Sequence, residues 1–234
     1  MHKLEKFQID FINEAINSNA LQFGDFRLKS GRKSPYFFNA SKLLTNANLK
    51  VVIDSFVARL KLSSIAIDQI FGPAYKGTIF GSMLGMKMNE EIKNLSLCFN
   101  RKEVKNHGEG GEFIGDLPMG NVLIVDDVLS AGTAAKEAIE LIKKYNAKPV
   151  GLLIGLDRQE KGSHELSAKA ELKKEFDIEV FSIINLAMLP LIFFIIIPIL
   201  TRLPSFSFLK SKFMVLLLKE LKLITLEYSL EARL

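Results

Sequence analysis

The chain holds a single cysteine, Cys98, in 234 residues. No intrachain disulfide can form, which fits a reducing compartment and a cytoplasmic protein. Cys98 lies in the apolar run Leu95-Ser96-Leu97-Cys98-Phe99, so a buried structural thiol is expected rather than a nucleophile. Excess charge is also scarce. The net charge is +5, and residues 1–185 carry 25 Lys/Arg against 23 Asp/Glu. A body this nearly balanced needs no nucleic-acid footprint, although a local basic cluster can still serve an anionic small molecule. Glu5, Asp10 and Glu14 come early in the chain, which excludes a secretory signal with a basic leader. The uncharged run 186–200 falls short of the ~20 residues a membrane span needs and contains Pro190 and Pro198, so a membrane role is set aside.

Hydrophobic residues make up 48% and charged residues 24%, the balance of a globular chain long enough for one substantial core. The stretch the rest is organised around is 121–134, Asn-Val-Leu-Ile-Val-Asp-Asp-Val-Leu-Ser-Ala-Gly-Thr-Ala. Val122–Val125 reads as a buried parallel strand. It ends at two carboxylates, Asp126 and Asp127, and a small-residue turn, Ser130 to Ala134, leads into a helix over 135–144 with Ala135, Ala138, Ile139 and Ile142 at helical spacing. A helix N-terminus has unpaired N–H groups and partial positive charge, which suits a phosphate. Gly132 lets backbone approach a ligand, and Ser130 and Thr133 add hydroxyls. Carboxylates at a strand's C-terminal edge sit where open α/β sheets bind ligands. They cannot partner the phosphate, so sugar hydroxyls or a metal ion suit them, and a phosphorylated ribose satisfies both halves.

Other elements follow in order. An amphipathic helix is expected over 3–18. Two short strands, 21–28 and 36–40, flank a turn with Lys29, Arg32 and Lys33, and Tyr36, Phe37 and Phe38 come next. Cations beside flat rings suit a planar anion, although a basic turn over a core aromatic strand explains them equally. A helix is expected over 46–60 and a strand over 65–71. That strand ends in Gly72-Pro73-Ala74-Tyr75-Lys76-Gly77 before a helix over 78–88. Lys76 can neutralise a diphosphate, and the two glycines can let N–H groups face it. A strand over 95–100 leads into residues 101–118, with four glycines and the cations Arg101, Lys102, Lys105 and His107. This reads as a long irregular lid able to close over a departing diphosphate; a solvated surface loop is the plainer alternative. The strand over 148–156 ends at Asp157-Arg158-Gln159-Glu160, where Arg158 can hold a carboxylate at two points. A helix over 164–176 and a strand over 178–184 close the series. The alternation predicts an α/β fold, a mostly parallel sheet flanked by helices, with a small N-terminal hood at about 1–45.

The strand, acidic pair and Gly-Thr turn at 121–134 resemble the phosphoribosyl-diphosphate (PRPP) motif of the type I phosphoribosyltransferases. Receiver domains also end a strand in two aspartates, but near the N-terminus and without this turn. "LKSGRKSPYFFN", "GPAYKG", "FNRKEVKNHGEGG" and "LDRQE" resemble the corresponding segments of the orotate phosphoribosyltransferase family. In all, five motifs match in the family's order over residues 3–185. The resemblance implies transfer of the phosphoribosyl group of PRPP to orotate, giving orotidine 5′-monophosphate and diphosphate in pyrimidine synthesis. It implies PRPP contacts from Lys29, Tyr75, Lys76, Arg101, Lys102, Lys105, His107 and the segment Asp126, Asp127, Val128, Leu129, Ser130, Ala131, Gly132, Thr133 and Ala134. Orotate would meet Phe37, Phe38, Ser130 and Arg158. Catalysis would fall to Lys102, Lys105, Asp126 and Asp127. Mg²⁺ would be held mainly through PRPP, with no direct protein ligands. A homodimer is implied, with the 101–118 loop reaching the partner's site. The family often has Thr at the Ser130 position; the hydroxyl is kept. A transferase for another base would lack the Lys29, Phe37, Phe38 and Arg158 set, and a PRPP-sensing regulator would lack the cationic loop.

Residues 186–234 do not fit. They hold no Gly and no Asp, where the family would close with a polar amphipathic helix. A membrane segment, a buried terminal element and a frameshifted or decayed 3′ end compete, and the last is the reading taken. It predicts that a chain ending near Asn185 is more soluble than the full one.

Overall fold

The computed structural model describes residues 4–27, 33–91, 95–105, 111–163 and 165–188, leaving aside the side chains of Lys33, Val104 and Lys105. The chain opens with α1 (Lys6–Asn17), which buries Phe11, Ile12 and Ala15 and is closed at its start by a capping box of Glu5 and Gln8. A hairpin follows, β1 (Leu21–Arg27) and β2 (Lys33–Phe38), antiparallel, with Leu21 opposite Phe38 and a register shift between Phe23 and Phe26. Next come α2 (Ser41–Thr45) and α3 (Leu49–Lys61), the latter capped by the Asn48 side chain. The alternating part then runs β3 (Gln69–Gly72), α4 (Lys76–Met88), β4 (Ser96–Lys105), β5 (Gly111–Gly115), β6 (Asn121–Leu129), α5 (Thr133–Lys144), β7 (Lys148–Asp157), α6 (Ala168–Phe176) and β8 (Val180–Asn185), with a short 3₁₀ turn at Leu186–Met188.

Six of these strands form one sheet in the order β5-β4-β3-β6-β7-β8. All neighbours are parallel except β5, which returns antiparallel on β4. The expected α/β architecture is therefore present. Its cause is legible in β6. Val122 to Val125 are all fully buried, because a central parallel strand is covered on both faces. Val122 and Ile124 pack in one cluster with Ile139 and Ile142 of α5 and Leu172 of α6. Leu123 and Val125 alternate to the other face, where α4 crosses β6. The helix α5 buries Ala135, Ala138, Ile139 and Ile142, the stripe its sequence spacing predicts.

The described chain divides into two compact units. One comprises the residues up to Ala20 and from Asn39 to Asn185, and holds the six-stranded sheet; the other contains the hairpin Leu21–Phe38.

Several local expectations change. The strand expected to stop at Val125 continues to Leu129, still paired to β7 as far as Asp157. Asp126 and Asp127 therefore sit on the ladder rather than beyond it. Residues 101–118 are not an irregular connection throughout. β4 carries on to Lys105 and β5 folds back, placing Phe113 opposite Asn100 and Gly111 opposite Lys105. The glycines and charges hid an alternation anchored by one aromatic: Phe113 is buried edge-to-face against Tyr145, centroids 5.0 Å apart. The strand expected from residue 65 begins at Gln69, and the helix expected from 164 begins at Ala168 with Ser167 as its cap. Cys98 is fully buried, and burial together with the nearby Asp116 carboxylate pushes its thiol up to about 12. That is the inert structural thiol expected. Among the described residues no helix is long and apolar enough to cross a membrane. Residues 189–234 lie outside those described.

Candidate active site

The site is built at the C-terminal edge of β3, β6 and β7. Asp127 is buried, and its carboxylate is paired with the ammonium of Lys76 at the start of α4. The two residues are 51 apart in sequence; the parallel pairing of β3 with β6 brings them together. Asp126 turns its Oδ1 back to accept the Asp127 backbone N–H at 2.8 Å. With Asp127 taking the neighbouring cation, Asp126 is left half-buried beside a second carboxylate. Desolvation first, then the charge of Asp127, pushes its carboxyl up to about 7.

Beyond β6 the chain turns through half-buried Ser130 and exposed Ala131 to Gly132, at φ +88°. That left-handed conformation favours glycine, although a Cβ there would only reach ordinary contact with Ala168, at 3.4 Å. The first turn of α5 starts at Thr133 with no side-chain cap, and Thr133 and Ala134 are exposed. The helix N-terminus thus presents its N–H groups outward, as a phosphate requires. Leu129 is part of the core at 2% exposure, and its carbonyl accepts the Arg158 N–H at 3.0 Å. Val128 is half-buried on the β7 ladder opposite Leu156. Both therefore shape the turn that follows them.

The β3–α4 loop forms the opposite wall. Its Ala74–Tyr75 peptide is cis. The Ala74 N–H donates to Asn100 Oδ1 at 2.9 Å, and the Thr78 hydroxyl donates to the Gly72 carbonyl at 3.2 Å. Gly72 and Gly77 also have a packing task that their sequence does not announce. A Cβ on Gly72 would stand 2.3 Å from the Gly77 carbonyl oxygen, and one on Gly77 would stand 2.7 Å from the Val125 carbonyl oxygen. The two glycines let α4 lie directly against β3 and β6. Tyr75 is exposed, with Lys102 Nζ 5.3 Å from its ring centroid. Arg101 Nε donates across the arm formed by β4 and β5 to the Phe113 carbonyl at 3.2 Å.

These features share one sheet edge: a carboxylate pair, a lysine within it, an open helix N-terminus and an arm bearing cations. The family model described as "Phosphoribosyl transferase domain" matches residues 39–184. The chain belongs to the phosphoribosyl transferase family. A relative named "Orotate phosphoribosyltransferase" from Marinobacter nauticus is 49% identical over 183 residues, 78% of this chain and 86% of the relative. One of the same name from Haemophilus influenzae is 46% identical over 184 residues, with the same coverage. The crystal structure of orotate phosphoribosyltransferase from Francisella tularensis superimposes with TM-score 0.67 at 36% identity, covering 80% of this chain and 89% of that one.

Within this phosphoribosyl transferase, Lys76 reaches Asp127 beside Asp126, on the strand that leads into the 130–134 turn, and Lys102 stands over Tyr75. Arg158 directly follows β7, with its guanidinium Nη2 2.9 Å from Glu160 Oε1. Phe37 and Phe38 lie in the hairpin unit. Phe38 is buried, while Phe37 is exposed and packs at 5.6 Å on Phe26. Lys29 and His107 lie outside the described residues, as does the side chain of Lys105, whose backbone ends β4. Sequence reasoning passed over several residues that hold the site. Asn100 fixes the β3–α4 loop. Gln69 donates to both Ser96 Oγ and the Leu117 carbonyl at 3.0 Å and accepts the Met119 N–H at 3.1 Å. Lys136 on α5 pairs with buried Glu171 on α6 at 2.8 Å. Polar side chains inside otherwise apolar or charged stretches were the only signal, and without partners in view it pointed nowhere. No group of three or more His, Cys, Asp or Glu able to hold a metal ion is found among the described residues.

Proposed function

We propose that this chain is an orotate phosphoribosyltransferase: it transfers the phosphoribosyl group of PRPP to orotate, giving orotidine 5′-monophosphate and diphosphate in pyrimidine nucleotide synthesis. The observation that carries the reading is the Asp126–Asp127–Lys76 cluster on the strand that leads into the uncapped start of α5. The names of its relatives supply the base.

The chemistry follows from where charge develops. The bond from the ribose anomeric carbon to diphosphate breaks, the electron pair leaving with the diphosphate; the orotate ring nitrogen gives its lone pair to the anomeric carbon and releases its proton to the departing diphosphate or to water. The ribose ring becomes positive as the leaving group becomes more negative. Asp126 and Asp127 hold the ribose hydroxyls and offset the ring's charge. Ser130, Ala131, Gly132, Thr133 and Ala134 receive the 5′-phosphate on the N-terminus of α5. Lys76, Tyr75, Arg101, Lys102, Lys105 and His107, with Lys29, meet the diphosphate. Phe37, Phe38, Ser130 and Arg158 meet orotate. Arg158 is suited to this because a guanidinium fork matches a carboxylate; its Nη2 stands 2.9 Å from Glu160 Oε1. Catalysis is positioning and electrostatics, with no covalent intermediate.

Mg²⁺ is proposed to enter with PRPP. The residues present fit a cation carried by the ligand: the site offers two adjacent carboxylates, one already paired with Lys76, and a Mg²⁺ held by few protein groups keeps its remaining positions for phosphate and water. When bound, it supplies charge neutralisation at the diphosphate. A cytoplasmic homodimer, with the arm reaching the partner's site, completes the reading.

The test is PRPP-dependent loss of orotate absorbance by the purified protein, with and without Mg²⁺, and with uracil and adenine as control bases. Turnover with orotate alone supports the proposal; turnover with another base, or none at all, rejects it. Lys105→Ala should lower kcat about 10²-fold, the usual loss of one group that stabilises a developing charge. An unchanged kcat would remove the lid role. The phosphoribosyltransferase body is assigned to residues 1–185, with 186–234 as an atypical extension. A chain ending at Asn185 should stay soluble at higher concentration than the full one and retain turnover. If truncation abolishes folding, measured by circular dichroism, the extension is structural.

A further inference from the structure

We infer that Lys136 and Glu171 are positioning residues that hold the base-binding Arg158 in register with the phosphate-binding turn. The inference rests on the proposed function, because it takes Arg158 as the group that meets the base.

Lys136 is the fourth residue of α5, and its backbone N–H donates to the Gly132 carbonyl at 2.9 Å, inside the turn assigned to the 5′-phosphate. Its ammonium leaves that turn and reaches α6, 2.8 Å from Glu171 Oε2 and 2.9 Å from Glu175 Oε2. Glu171 is 1% exposed. A carboxylate buried this deeply must be paired and hydrogen-bonded to remain charged. Its second bond points to its role. The same Oε2 accepts the Ser163 backbone N–H at 2.9 Å. Ser163 lies in a small folded turn, closed by the Gly162 N–H to the Leu166 carbonyl and the Ala168 N–H to the Glu160 carbonyl, both 2.9 Å. The strand side of that turn carries Arg158 and its partner Glu160.

One carboxylate therefore bridges the helix that starts at the phosphate site and the turn that aims the guanidinium. The fit is close. A Cβ on Gly162 would stand 2.3 Å from the Glu171 carboxylate, so the turn is packed directly on the charged group. The distance between the phosphate turn and the base-binding arginine sets how far the base nitrogen stands from the anomeric carbon. A reaction that depends on positioning is sensitive to errors of about 1 Å in that distance.

The test uses the full-length enzyme with Glu171→Gln and Lys136→Met, steady-state kinetics for each substrate separately, and Lys136→Arg as the charge-conserving control. The expected result is an orotate KM raised about tenfold in Glu171→Gln and Lys136→Met. The PRPP KM should stay within about twofold of the parent, and Lys136→Arg should recover most of the orotate KM. A lower melting temperature with both KM values unchanged would assign the pair to stability alone and overturn the inference. Equal rises in both KM values would also overturn it. If Glu171→Gln does not fold, Lys136→Met, changed on the more accessible side of the pair, decides on the same criteria. A parent enzyme inactive with orotate overturns the proposed function and this inference with it; an active parent whose variants keep the parental orotate KM overturns this inference alone.

Discussion

Asp126→Asn is expected to lower kcat/KM about 10²–10³-fold, the range seen when one preorganised group facing a developing charge is removed, and to make the ligand-free protein more stable at pH 8. Both effects come from one carboxylate. Under the proposed function its charge faces the ribose as that ring turns positive. In the ligand-free protein the same charge is half-buried beside Asp127, which raises the Asp126 pKa to about 7. The folded protein therefore keeps a proton that the unfolded chain, with an ordinary carboxyl near 4, has released. Between those values the folded state binds more protons, so stability falls as pH rises. Asparagine can still accept the Asp127 N–H but carries no charge. The variant's melting temperature should thus exceed the parent's by a margin that widens from pH 4.5 to pH 8. After screening, the difference at pH 8 is about 1–2 kcal/mol. A margin that does not change with pH would mean that Asp126 is ionised throughout. Activity of the parent should rise with pH up to about 7, and a flat profile over that range would separate catalysis from the ionisation of Asp126.

Gly72→Ala should be strongly destabilising. The added methyl would meet backbone alone: the Gly77 carbonyl oxygen at 2.3 Å, its carbon at 2.6 Å and Thr78 Cα at 2.9 Å. No side chain can rotate away, so the first turn of α4 must lift off β3. Overpacking of this kind costs roughly 3 kcal/mol, or a melting temperature lower by roughly 6–12 °C for a chain of this size. The shift would also carry Lys76, the first residue of α4, away from Asp127. Gly24→Ala is the control. Its nearest atoms are the Phe26 ring at 3.4 and 3.6 Å, and it should melt within about 2 °C of the parent, as ordinary surface changes do. If the two variants melt alike, close packing is not why Gly72 is glycine.

These two positions also separate what can be read from sequence from what cannot. Asp126, the Gly132 turn and the α5 stripe were legible because each depends on neighbours within a few residues. An apolar run must be covered, a left-handed turn wants glycine, and a 3.6-residue period has one buried face. The approach of Lys76 to Asp127 was not legible, because 51 residues and a parallel strand pairing lie between them. For the same reason the close packing of Gly72 against Gly77, which leaves no room for a side chain, could not be read from the sequence. The arm was misread as irregular because its glycines and charges weakened the alternation, and Phe113 finds its covering partner Tyr145 only in the folded chain. Local chemistry, short-range and additive along the chain, determined the α/β order, the acidic pair and the Gly132 turn. The tertiary structure alone decided the partners of those groups, since strand pairing sets which distant side chains meet at the sheet edge and burial there sets the charge each one keeps.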